Sequence, residues 1–469
     1  MKHYLIIFAH KPLLNQFRIA ELKSAIEAEE IKEIYYIPYY ENKGNERVRK
    51  PIERETLIEL YNDKYLVVQM KNDEEAKRMT ERCSFIQSIQ EIWGDAKDLE
   101  SCIRHAKTYA KENRERLEKE KEEKQTFKIN VNTFGTKLNK KKHFEILTNI
   151  TTTQILKDVL GKVKLSKPER EFEMHMVFQL NDEQSKTQEE NKQIKNAKRK
   201  NKYKVKEKTD DMVNEKMKYM LRAIFAKKIA DGGREKLVTY SLKTRPYIGT
   251  TSMSAELSFL VVNEAKIREN DYVCDPFVGT GSILLAAQIY GAHVIGLDLD
   301  IRVLKGNGKN HYDNIKHYQI NKNMDLLRGD LYQHKTCWRV GEIFDAIVSD
   351  PPYGVRESCS RIGRTEYLKV EEKYQENHIA ARVPYDQEEM MADFFNFAAY
   401  TLKMGGRLVY WLPSPVQFHI PNDLPYHPSF SLIRVNFDQL TLTRGRRLIT
   451  MEKTKPFVEA KAATYHNTI

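Results

Sequence analysis

The chain has 469 residues, 41% of them hydrophobic, with 78 Lys and Arg against 66 Asp and Glu and a formal net charge of +12. That length exceeds a single core and implies two to four domains, while the positive balance suits a polyanionic partner. No run approaches ~18 apolar residues, five scattered cysteines read as free thiols, and no Cys-x-x-Cys pair or His cluster suggests a metal, so a membrane span, a disulfide scaffold and a metal centre are not expected.

Met1 to Phe8 is short and strand-like and lacks a secretory pattern, so a cytoplasmic location is expected. After it come a helical pattern around Phe17, Ile19, Leu22 and Ile26, a strand at Ile34 to Ile37, a strand at Tyr65 to Val68 and a helical stretch from Glu74 to Ile89. Residues 1–92 therefore read as a small α+β unit. A charged helix from about Asp98 to Glu123, an alternating strand at Phe127 to Asn132, a helix near Ile150 to Leu160 and a strand face made by Phe172, Met174, Met176, Phe178 and Leu180 form a second unit, taken as 93–235. Within it, 181–218 is a charged insertion too poor in apolar side chains to offset ordering, and the basic run Lys192 to Lys208 reads as a solvated face. From 236 to 469 strands alternate with helices: Tyr272 to Cys274, Ser282 to Tyr290, His293 to Leu297, Phe344 to Ser349 and Gly406 to Leu412. This is the pattern of a mostly parallel α/β sheet, and Ser431 to Phe437 with Arg446 to Met451 adds a terminal antiparallel hairpin turning near Arg444-Gly445.

Asp350-Pro351-Pro352-Tyr353 follows the apolar run Phe344 to Ser349. Two prolines remove two backbone donors and hold the preceding residues extended, so the Pro351 carbonyl and the Asp350 carboxylate can both accept from the N–H bonds of a planar amino group. Such acceptors orient a poorly nucleophilic amine and help remove its proton, while Tyr353 offers an aromatic face. Upstream, Asp275-Pro276-Phe277-Val278-Gly279-Thr280-Gly281 lies between a strand and a helix, where glycines admit a ligand to the helix N-terminus. A dinucleotide fingerprint needs a small residue where Leu284 stands, which favours a nucleoside without a pyrophosphate. Asp298 ends the next strand, at the position that accepts from ribose hydroxyls, with Asp300 a less favoured neighbour, and Asp330 in Arg328-Gly329-Asp330-Leu331 is suited to an adenine amino group. Each piece has a plain structural explanation, but four such segments in order after successive strands match S-adenosylmethionine as a methyl donor. The acceptor is thereby an amino group, in nucleic acid or in protein.

The Asp275 to Gly281 loop with Asp350-Pro351-Pro352-Tyr353 resembles the class I methyltransferases that modify exocyclic amino groups. Lys243 to Ser258, the extension Gly354-Val355-Arg356-Glu357 and Arg446 to Met451 resemble the catalytic subunits of eukaryotic tRNA guanosine-10 N2-methyltransferases, densely from about 225 to 453. The resemblance implies a Rossmann-like methyltransferase domain preceded by a ferredoxin-like unit and a THUMP module that binds tRNA. It also implies a small zinc-binding activator subunit forming a heterodimer. Asp275, Phe277 and Gly279 would line the cofactor loop, Asp298 would meet the ribose, Asp330 the adenine, and Asp350 and Pro351 the guanine N2 amino group, with Tyr353 stacking. Arg356 would approach a phosphate or form a structural ion pair, and Thr251 to Ser254 would close over the cofactor or cap the helix starting near Ala255. The competing readings are a methyltransferase for DNA adenine or protein glutamine, and a non-catalytic RNA-binding protein keeping the fold.

Overall fold

The computed structural model describes residues 1–9, 14, 16–37, 64–134, 138–152, 154–178, 220–321, 324–333, 338, 341–354, 359–363, 381–420, 422–459 and 462. The expected insertion at 181–218, the basic run Lys192 to Lys208 and Arg356 lie outside them.

The N-terminal half is built on strands β1 (Lys2–Phe8), β2 (Ile34–Tyr36), β3 (Tyr65–Met70), β4 (Ile86–Ala96), β5 (Thr126–Phe134), β6 (Lys162–Val163), β7 (Arg170–Phe178) and β8 (Met220–Asp231). Among the described residues these make one sheet in the order β2-β3-β1-β4-β8-β7-β5-β6. Residue 92 lies inside β4, which pairs with β1 on one side and β8 on the other, so the two α+β units share one sheet.

The helix expected to run to Ile89 stops at Arg82, and the chain becomes β4. Asn72 caps that helix by accepting from the Glu75 N–H, and three acidic residues follow in its first turn, where the helix dipole favours them. Cys83 is extended, and the segment from Ile86 is buried on both faces, so neither hydrophobic period shows clearly in the sequence. The charged helix is two helices, Leu99–Glu112 and Arg114–Glu123, broken at Asn113. The strand β8 carries no expectation from the sequence. Its position at the centre of the sheet helps to bury Glu91 of β4 beside Lys2, Lys227 and Arg116 at 3.0, 3.5 and 3.1 Å. Burial alone would raise the Glu91 carboxyl, but these three cations hold it at about 2.

The C-terminal half contains β9 (Tyr272–Asp275), β10 (His293–Asp298), β11 (Met324–Arg328), β12 (Phe344–Ser349), β13 (Ser360–Ile362), β14 (Arg382–Pro384), β15 (Leu402–Pro415), β16 (Phe430–Gln439) and β17 (Arg444–Lys453). The large sheet runs β11-β10-β9-β12-β15-β17-β16, parallel through β15 and antiparallel beyond it. This is the expected Rossmann-like arrangement with its terminal hairpin, although the hairpin turns over Leu440 to Thr443, ahead of Arg444-Gly445. Helices Ala255–Glu264 and Ser282–Ile289 cover one face and Gln387–Thr401 the other. Chain order reverses between β9 and β12, which opens a crevice at their carboxyl ends.

The two halves are packed together. Phe17 and Phe85 enter the core beneath helix Ala255–Glu264, and Glu21 accepts from the Ser84 and Phe85 N–H groups, the Ser84 hydroxyl and the Asn263 amide. Burial raises the Glu21 carboxyl in spite of these donors. Arg434 bridges the helix Phe17–Ala28, through the Ala20 carbonyl and the Ser24 hydroxyl, to Glu264. Among the described residues no helix is long and apolar enough to cross a membrane.

Candidate active site

At the reversal point β9 ends in Asp275 and β12 ends in Ser349, and the Ser349 hydroxyl donates to Asp275 Oδ1 at 2.7 Å. The same oxygen accepts from the Phe277 N–H at 3.0 Å, which fixes the start of the glycine loop. Asp275 is 2% exposed, and burial pushes its pKa up to about 7; the two donors oppose that rise, and the nearby carboxylates of Asp350 and Asp298 add to it.

The loop then uses its glycines in two ways. Gly279 and Gly281 have φ of +50° and +73°, which a side chain adopts poorly. A Cβ at Gly281 would also lie 2.7 Å from the His311 ring, whereas one at Gly279 would meet nothing nearer than 4.0 Å and is open. His311 is buried, which lowers its pKa, and its Nε2 bonds the Gly279 carbonyl at 2.9 Å. Asp298 holds the same loop from β10: its Oδ2 accepts from the Gly279 N–H at 3.0 Å and its Oδ1 from the Asp300 N–H at 2.7 Å.

The segment before helix Ala255–Glu264 lies against this loop. Arg245 donates to the Ser282 hydroxyl at 2.8 Å, Ser252 and Thr280 hydroxyls are 2.7 Å apart, and the Tyr247 and Asn314 amides exchange hydrogen bonds. Ser254 caps the helix through the Leu257 N–H, while Thr251 and Met253 face a cleft.

That cleft, of about 1040 Å³, is also lined by Asp275, Phe277, Gly279, Asp350, Pro351 and Tyr353. The structure therefore brings together six of the nine expected site residues. Asp350 is exposed and Pro351 buried. Tyr353 is held at both ends: its hydroxyl donates to the Trp411 carbonyl at 2.6 Å, and its own carbonyl accepts from the Gln387 amide. Gly281, Asp298 and Asp330 are not in the lining. Asp330 is 7% exposed, and its oxygens accept from the Tyr332 N–H at 3.1 Å and the Ile362 N–H at 2.6 Å. Asp300 caps the helix Ile301–Lys305 and pairs with Arg302 and Arg382, a structural task.

The sequence matches the family described as "Tmrp11 THUMP N-terminal domain" over residues 2–199 and that described as "RMKL-like, methyltransferase domain" over 242–377. The tRNA (guanine(10)-N(2))-methyltransferase TRMT11 of Homo sapiens is 34% identical over 411 residues, covering 84% of this chain and 80% of its own. Its namesake in Xenopus laevis is 30% identical over 472 residues, covering 98% and 86%. The chain belongs to the TRMT11 tRNA (guanine(10)-N(2))-methyltransferase family. The solved structure of TrmN from Thermus thermophilus is also similar, at 14% identity and a TM-score of 0.41, covering 96% of this chain and 99% of that one.

Within this TRMT11-family domain, the far wall of the cleft was not foreseen. It comes from Leu412-Pro413-Ser414-Pro415 at the end of β15, from Gln387, Met391 and Phe395 of the covering helix, and from Tyr426 and the segment Thr443 to Arg446. Arg447 holds the proline-bearing end of β15, donating to Ser414 and to the Pro415 carbonyl while lying over Phe418 and Phe437. Leu412-Pro413-Ser414-Pro415 repeats the strand-then-proline pattern of Asp350-Pro351-Pro352, which is the signal that could have revealed it.

Proposed function

We propose that this chain transfers a methyl group from S-adenosylmethionine to the N2 amino group of guanosine 10 in tRNA. The observation that carries the reading is the junction of Asp275, Ser349 and Asp350 at the sheet's reversal point, in a chain of the TRMT11 family. The residues present suit the cofactor. Gly279 leaves open space beside the cleft, and the carboxylates of Asp275, Asp298 and Asp350 gather where a ligand bearing an ammonium and a sulfonium would be favoured. When bound, S-adenosylmethionine supplies an electrophilic methyl carbon and a neutral thioether leaving group.

The chain's own residues do the rest. Asp350 and the Pro351 carbonyl accept from the two N–H bonds of the guanine amino group, which turns its lone pair toward the methyl carbon, and Asp350 takes the proton released after transfer. Tyr353, held by Trp411 and Gln387, stacks on the base. Phe277 and Gly279 line the donor side, Gly281 lets the loop turn against His311, and Asp298, at the end of β10, and Asp330, just after β11, meet the ribose and the adenine.

On the same reading residues 1–92 are a ferredoxin-like unit, 93–235 a THUMP-like module that grips tRNA, and 236–469 the catalytic domain. A small zinc-binding subunit completes an active heterodimer in the cytoplasm. The test is transfer of labelled methyl to unmodified tRNA with that subunit present, followed by nucleoside mapping. Label that appears elsewhere than guanosine 10, or nowhere, removes the assignment.

A further inference from the structure

The target of this reaction, on the reading just given, is a base of a folded RNA, and where it is paired and stacked its amino group reaches Asp350 only after the base leaves its stack. We propose that Leu442, at the tip of the β16–β17 hairpin, is the wedge that enters the space the guanine vacates. Leu442 is 91% exposed, and no described large apolar side chain is more exposed. Its neighbours Leu440, Thr441, Thr443 and Arg444 line the same cleft as Asp350, so it stands on the rim through which the base must pass.

The hairpin holds this side chain outward. The Arg444 N–H donates to the Thr441 hydroxyl at 3.0 Å, and the Thr441 N–H donates to the Arg444 carbonyl at 2.9 Å. The Gln439 amide adds a bond to the Thr441 carbonyl at 3.1 Å. Below the turn Arg446 pairs with Asp438 at 3.0 Å and lies over Trp411 at 4.5 Å, anchoring the hairpin to the core of the sheet. The tip therefore carries an apolar side chain on a short, braced support, with the exposed Arg444 beside it for a phosphate.

A projecting apolar point of this kind suits insertion between bases, where Leu, Ile, Met and Phe serve as wedges. A protein partner seated on it would cover the cleft mouth and block the base, so nucleic acid is the occupant the geometry favours. Leu440 and Tyr426, 54% and 69% exposed, extend the apolar rim along which an extruded nucleotide slides.

The test compares two transcripts of one tRNA, one with guanosine 10 paired and one with its partner base changed so that it is unpaired. With the full chain and its activator, Leu442→Ala should lower kcat/KM at least ~10-fold on the paired transcript and less than ~2-fold on the unpaired one, because unpairing and unstacking together cost a few kcal/mol and cost least for a base without a partner. Leu442→Phe should restore activity on the paired transcript, and cofactor affinity should be unchanged in both variants. A 2-aminopurine beside position 10 should brighten with the wild-type chain and not with Leu442→Ala. Equal losses on both transcripts, or no loss, overturn the wedge. If the wild-type chain labels guanosine 10 in neither transcript, the underlying assignment fails instead and this inference falls with it.

Discussion

With its carboxyl at about 7, Asp275 changes charge close to neutrality, and that has a thermodynamic sign. The folded state holds this proton more tightly than the unfolded chain, so the associated stability is complete below the ordinary value of 3.8 and is lost as pH rises through about 7. Asp275→Asn carries no such term. The difference in stability between variant and wild type should therefore shift in favour of the variant by on the order of 3 kcal/mol between pH 5 and 8. Urea titrations at the two pH values check it, and a gap independent of pH would sink the argument. The neighbouring carboxylate is expected to behave differently: Asp350 is exposed, so Asp350→Asn should leave the unfolding curve unchanged while lowering kcat about 100-fold or more. The difference between these two acids was not readable in the sequence. Both follow an apolar strand and precede proline, and only the fold shows that Ser349 reaches across to one of them. Gly281 was legible as a glycine that a turn requires, but its contact with His311 from thirty residues away was not.

At the scale of elements, β9, β10 and β12 were plain because each is a short apolar run ending at a turn or an acid, whereas β11, which carries Asp325 and is mostly exposed, was not. The Rossmann-like order then follows from right-handed crossovers. Elements whose pattern depends on distant neighbours were not plain. The strand β4 is buried on both faces by packing from two units, β8 was passed over although Asp231-Gly232-Gly233 signals a turn at its end, and the Leu412 to Pro415 wall acquires its role from Arg447. The segment before helix Ala255–Glu264 combines both cases. Capping by Thr251 to Ser254 was one of two roles expected of it, Ser254 fills that role, and Ser254→Ala should cost about 1 kcal/mol. Its clasp on the glycine loop, through Arg245 to Ser282, appears only in three dimensions. Arg245→Ala should loosen that loop and weaken cofactor affinity by about 10-fold, because a misplaced positioning group costs binding before chemistry. Calorimetry measures the first and single-turnover kinetics the second; an unaltered affinity would make the clasp a matter of stability alone.

At the scale of the molecule, the junction between the halves is expected to hold or fail as a unit. Glu21→Ala leaves the Ser84 and Phe85 N–H groups without their buried acceptor and the Asn263 amide with the Arg82 carbonyl alone, and should destabilise the chain by about 3 kcal/mol. A melting temperature within a degree of the wild type would contradict that. The path from one half to the other is equally constrained. Gly232 leaves β8 with its N–H on the Gln87 carbonyl, an added Cβ there would stand 1.8 Å from the Ile86 oxygen, and the Gly233 N–H follows onto the Cys83 carbonyl. The join is thus a rigid bracket, and its consequence is metrical. If the N-terminal half holds one end of a tRNA while the cleft takes a base, the span between grip and cleft is set by the protein backbone and acts as a pair of calipers. Three glycines inserted after Gly233 should then spoil the choice of guanosine 10 while leaving cofactor binding intact, an error of measurement in an otherwise sound catalyst.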